Sequence, residues 1–126
     1  MLGYVVVFFG AGIGGAVRHG MNIWVARWLG AHFPSHTFII NILGSLLMGL
    51  IAGWFSERGQ ETSQLRLFLT TGILGGFTTF SAFSLDAVLL WERQEHLLAA
   101  LYVGGSVIGA LAGLVLGLWI ARTALA

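Results

Sequence analysis

Neither cysteine nor lysine occurs in this 126-residue chain, and its one proline is Pro34. Without cysteine there can be no disulfide and no thiolate metal site. Charge is also scarce, with six arginines against five acids making up 9% of residues, where a soluble domain carries about 25%. Hydrophobic residues make up 57%. So little polar surface cannot cover a water-soluble globule, and a small membrane protein follows, with residues 1–126 forming one transmembrane domain. No basic cluster offers itself to nucleic acid or to anionic headgroups. Nothing resembles a hydrolase triad, a zinc motif or a phosphate-binding loop. His32 and His36 are four apart but flank Pro34 in an expected loop, so no metal-ligand spacing lies on one helix face. An enzyme is not expected.

A helix crosses the hydrocarbon core with about 20 mostly apolar residues. Four such stretches are present, at about Leu2–Leu29, Phe38–Phe55, Leu65–Trp91 and Leu97–Ala121, with polar connectors at Glu57–Gln64 and Glu92–His96. The N-terminus enters apolar sequence with no basic region before it, so it reads as a retained first helix and not a cleaved signal. With four crossings, one side holds Arg58, Arg66 and Arg122. The other holds Arg27 and Arg93, plus Arg18 if it lies near the interface. Basic residues in short loops normally set orientation, and here they barely differ. Either a subtler signal orients the chain, or it inserts both ways and pairs as an antiparallel homodimer, which produces the inverted symmetry of many transporters. The fold class expected is therefore an all-α membrane protein of four transmembrane helices, assembled as a dual-topology homodimer in lipid.

Small residues recur at four-residue intervals: Gly105, Gly109, Gly113 and Gly117, then Gly10 with Gly14 and Gly49 with Gly53. They allow close helix approach where lipid supplies no hydrophobic drive. The third span is unusual, because Gly75-Gly76-Phe77-Thr78-Thr79-Phe80-Ser81-Ala82-Phe83-Ser84 lies at its centre. The expectation is a helix broken mid-membrane over Gly75–Thr79. Loosened carbonyls there can bind a cation, and the following half-helix N-terminus favours an anion. A glycine kink with hydroxyls bonding back to their own helix is the plainer alternative.

Phe80 and Phe83, three apart, place their rings towards one side. Ring edges carry partial positive charge, so the pair can hold a small anion or simply pack in the core. Ser81 and Ser84 form an adjacent stripe of donors. In the second span Asn41 lies one turn from Thr37 and one from Ser45. Its amide serves either as an anion donor or as a hydrogen bond between helices. Tyr102 and Ser106 add two hydroxyls on the fourth span. Arg18 reads as a snorkelling cation or as a charge drawing anions into a vestibule. Asp86 is the only acid inside a span, either solvated in a vestibule or carrying protons.

With these motifs in view, the chain resembles the Fluc (CrcB-type) fluoride channels of bacteria over essentially its full length. The resemblance is carried by four short spans, the 75–84 signature, Asn41, and Gly14-Gly15-Ala16-Val17-Arg18. It implies a homodimer in the cell inner membrane, with two fluoride pathways and a structural sodium ion at the dimer centre held by the carbonyls of Gly75 and Thr78. Phe80 and Phe83 would coordinate fluoride with Asn41 beside them. Thr37, Thr79, Ser81, Ser84, Tyr102 and Ser106 would form a polar track. Ala82 and Ala110 depart from the family, standing where relatives often have hydroxyls. The expected function is passive, selective export of fluoride. A proton-coupled exporter working through Asp86, or a packing subunit with no transport role, are the alternatives.

Overall fold

The computed structural model describes residues 1–124 and places four helices in sequence: α1 (Leu2–Leu29), α2 (Ser35–Glu57), α3 (Gln64–Glu92) and α4 (His96–Ala124). Each is long and apolar enough to cross a membrane. No strand occurs among the described residues. Helix α2 starts at Ser35, three residues before the expected Phe38. Pro34 precedes it with φ −76°, and a proline at a helix start forfeits no intrahelical bond.

The most extensive contact is between α2 and α4, while α1 lies against the first half of α3. Glycine makes both approaches possible. A Cβ at Gly49 would overlap the Leu114 carbonyl oxygen, and one at Gly117 would overlap that of Leu46. The four-residue row on α4 faces α2 of the same chain, with Gly105 against Phe38, Gly109 and Gly113 against Ile42, and Gly117 against Leu46. On the other side of the molecule, Gly10 meets Gly72 and Gly14 meets Ile73. Helix pairs so close gain van der Waals contact that bulkier residues would forbid. A Cβ at Gly53 would come 2.7 Å from the Ala121 Cβ. Gly53→Ala is therefore expected to destabilise the α2–α4 pair by about 1–3 kcal/mol, the usual range for overpacking, seen as a lower midpoint of thermal unfolding in detergent.

Large apolar side chains such as Phe8, Ile108 and Val115 stay exposed on the outer helix faces, as a lipid surface requires. Tryptophan falls near both ends of the bundle. Trp24, Trp28 and Trp91 lie towards one end and Trp54 and Trp119 towards the other, the positions where amphipathic rings anchor at headgroup depth.

Helix α3 is less broken than the sequence suggests. It runs as one crossing bent by 20°, and only Thr78 (φ −82°, ψ 158°) and Thr79 (φ −151°, ψ 122°) have extended backbone. Gly75 and Gly76 are helical, Gly75 with φ −62° and ψ −38°. Their role is proximity: a Cβ on Gly76 would overlap the Ala11 carbonyl oxygen. Upstream, Phe68–Leu74 forms a π-helical segment that no sequence signal announced. Such widened turns occur frequently at functional sites.

Candidate functional site

The stretch from Gly76 to Thr79 is held from both sides by side chains of other helices. Asn41 of α2 donates through Nδ2 to the Thr79 carbonyl at 3.0 Å and accepts the Thr79 N–H on Oδ1 at 2.9 Å. The carboxamide thus pairs with one residue as a neighbouring strand would. Gly44, one turn on, makes room for Thr78, whose Cγ2 lies where a Cβ would stand. From α1, Arg18 donates through Nε to the Gly76 carbonyl at 3.2 Å. Downstream, the Thr79 hydroxyl accepts the Ala82 N–H at 3.2 Å and caps the second half of α3, Phe80–Glu92. An N-cap of this kind satisfies one of the donors a helix start leaves open.

These bonds redirect two backbone donors. In a continuous helix the Gly75 carbonyl accepts from Thr79 N–H and the Thr78 carbonyl from Ala82 N–H. Here Thr79 N–H goes to Asn41 and Ala82 N–H to the Thr79 hydroxyl. Both carbonyls that the sequence resemblance assigns to a cation have thereby lost their regular helical donors. Gly75 is also exposed on the surface of the single chain.

Beside the clasp opens a groove of about 390 Å³ between α2, α3 and α4, lined by Asn41, Gly44, Ser45, Met48, Thr78, Thr79, Phe80, Phe83, Ser106, Val107, Ala110, Leu111 and Leu114. The rings of Phe80 and Phe83 lie 5.5 Å apart and tilted by 53°. Phe83 is 9% exposed and Phe80 78%, so one ring belongs to the core and the other projects from the chain. Ser106 is buried, and its hydroxyl has no hydrogen-bond partner among the described residues. An unpaired buried hydroxyl is costly, which marks this one as available to something that enters the groove. One N–H of the Asn41 amide remains beyond its bond to Thr79.

The remaining track residues divide. Tyr102, fully buried, donates its hydroxyl to Asp86 Oδ2 at 3.1 Å, and its side chain hydrogen-bonds Thr37. Phe83 lies 5.2 Å from the Tyr102 ring, and Phe33 and Phe38 pack on it as well. This column adjoins the groove through Phe83 but does not line it. Asp86, half-buried, is thus the acceptor of a buried tyrosine. Ser84 donates back to the Phe80 carbonyl at 2.9 Å, and the exposed Ser81 lies 3.4 Å from the Thr79 hydroxyl. Sequence reasoning did not single out Gly44 and took Gly76 only as part of the break, although both fix the approach of α3. The one-turn spacing of Asn41 and Gly44 was the available signal.

A family profile described as "CrcB-like protein, Camphor Resistance (CrcB)" matches residues 5–118. A protein of Methylobacterium nodulans named "Fluoride-specific ion channel FluC" is 63% identical over 113 residues, 90% of each chain. One of Rhodopseudomonas palustris with the same name is 59% identical over 119 residues, covering 94% of this chain and 96% of the relative. "Fluoride-specific ion channel FluC 2" of Nitrobacter hamburgensis is 54% identical over 121 residues, covering 96% and 98%.

Proposed function

The chain belongs to the CrcB-like family, and from that premise we propose that it is a fluoride-selective channel, not an enzyme, giving passive export of fluoride across the bacterial inner membrane. The observation that carries this reading is the buried Ser106 hydroxyl, without a partner among the described residues, on the same groove as Asn41 and the Phe80–Phe83 pair. Fluoride entering there exchanges water for the Ser106 hydroxyl, the spare Asn41 N–H and the positive edges of the two rings. A larger halide fits the narrow passage poorly and gains less from each donor. Several weak sites in series permit exit as well as entry. Since the cell interior is negative, an anion moving passively through the groove leaves the cytoplasm.

The functional unit in this reading is an antiparallel dual-topology homodimer. Near-equal arginine counts at the two ends and tryptophans at both ends suit insertion in either direction. Phe80 exposed on an open groove gives a second copy a wall to complete, and the extended Thr78–Thr79 pair is read as the working interruption of α3. The structural sodium ion belongs at the dimer centre, with Gly75 and Thr78 carbonyls of both copies as its ligands. The fit rests on the redirected Thr79 and Ala82 donors, because carbonyl oxygens freed from helical bonds are suitable ligands for a hard cation. Bound there, the ion would supply positive charge that holds the two interruptions together. Arg18, Thr37, Thr79, Ser81, Ser84 and Tyr102 then serve as the approach to the groove and its support.

The second reading, a proton-coupled exporter, draws on the Tyr102–Asp86 bond at 3.1 Å. One experiment separates the two. Liposomes containing the protein and loaded with fluoride should lose it once the membrane potential is released, with chloride retained, and Asp86→Asn should leave the pH dependence of efflux unchanged. Trapped fluoride would favour a packing subunit. Efflux that requires Asp86 and a proton gradient would favour the exporter.

A further inference from the structure

We infer that Arg18 is a positioning residue. By fixing the Gly76 carbonyl from α1, it orients the neighbouring carbonyls of Gly75 and Thr78 for the sodium ion, and this rests on the sodium reading above. Gly10, Gly14 and Arg18 follow one another at four-residue intervals, so they share a face of α1. That face is the one pressed on α3, with Gly10 at Gly72, Gly14 at Ile73 and Phe77, and Arg18 at Gly76. The two glycine contacts are backbone to backbone and fix the height of α1. At that height Arg18 delivers its Nε to the Gly76 carbonyl, at 3.2 Å.

Gly76 is the pivot of this stretch. Its own carbonyl and that of Gly75 lie on either side of its Cα, and a glycine offers little torsional resistance of its own. In a continuous helix Phe80 N–H would bond the Gly76 carbonyl, but the extended Thr78–Thr79 pair lies between them. Arg18 supplies the missing donor. Without it the Gly76 carbonyl loses its donor, and the torsions at the Gly76 Cα that set its position relative to the Gly75 carbonyl are held less firmly. Asn41 holds the far end of the same stretch at Thr79, so the two side chains fix the stretch from α1 and α2.

Charge and geometry predict opposite signs, which makes the inference testable. A guanidinium near a cation site repels the cation, so removing it on charge grounds alone strengthens sodium binding. If Arg18 acts by orientation, removing it weakens binding. Lysine keeps the charge, but its single nitrogen lies one bond further out on a flexible stem and loses the fixed planar donor. Methionine removes both charge and donor.

The experiment measures the midpoint of thermal unfolding of the full chain in detergent as sodium replaces N-methyl-D-glucamine at constant ionic strength. A cation that binds only the folded state raises this midpoint. For both Arg18→Lys and Arg18→Met, the sodium concentration at which the midpoint starts to climb is expected to increase about tenfold, the lower end for losing a group that orients a metal ligand. A purely structural role would lower the midpoint at every sodium concentration and leave that onset alone. An unchanged onset in Arg18→Lys, or an earlier one in Arg18→Met, overturns the inference, as does failure of both variants to fold in high sodium. A wild-type protein indifferent to sodium overturns the sodium reading itself and the inference with it, while fluoride efflux would still stand.

Discussion

Asn41→Asp should abolish fluoride efflux from liposomes while the chain still inserts and purifies. The substitution changes one atom of the clasp. Oδ1 can still accept the Thr79 N–H, but the second oxygen replaces the donor that lies 3.0 Å from the Thr79 carbonyl. Two oxygens then face each other, and the spare N–H of a groove-lining residue is lost. The larger effect is on the permeating ion. A carboxylate about 4 Å from a fluoride, at an effective dielectric constant near 20, opposes it by roughly 4 kcal/mol, about a thousandfold in occupancy. Efflux from the variant should fall to that of protein-free liposomes. Wild-type efflux would remove Asn41 from the pathway and leave it only its hydrogen bonds to α3.

Gly14→Ala is expected to have the next largest effect, and it acts on the fold and the site together. The added Cβ would overlap the Ile73 carbonyl oxygen and stand 2.9 Å from the Phe77 nitrogen. Both neighbours are backbone, so no side chain can rotate away, and α1 must separate from α3. The cost should reach or exceed the upper end of the 1–3 kcal/mol typical of overpacking. One turn beyond, Arg18 would be carried away from Gly76. The expected result is loss of monodisperse protein in detergent, or a much lower unfolding midpoint with no efflux. Gly12→Ala and Gly15→Ala are the controls. A Cβ at either position meets nothing within 4 Å, so both should behave nearly as wild type.

The crossings were legible because their signal is local: about 20 apolar residues bounded by polar connectors. Asn41, Ser106, Phe80 and Phe83 stood out for a related reason, being polar or paired groups at membrane depth, and all four line one groove. What the sequence hid depends on distant partners. The sequence places the break over Gly75–Thr79, but Gly75 and Gly76 stay helical, because glycine serves close approach as well as flexibility. Only the position of Ala11, on another helix, shows that Gly76 is there for approach. The residues that leave the helix are β-branched Thr78 and Thr79, and they do so where Asn41 replaces the helical partner of Thr79. Arg18 read as a snorkelling cation or a vestibule charge because nothing local links it to Gly76, 58 residues away. The π-helical Phe68–Leu74 segment had no visible pattern at all. Long-range hydrogen bonds and packing decided each of these.

The most direct measurement is the reversal potential of the protein in a planar bilayer, with a fluoride gradient across it and chloride and pH equal on both sides. A current that reverses at the fluoride equilibrium potential, and does not move when a chloride gradient is added, is the expected result. Reversal that follows chloride or protons, or no current from folded protein, would contradict it.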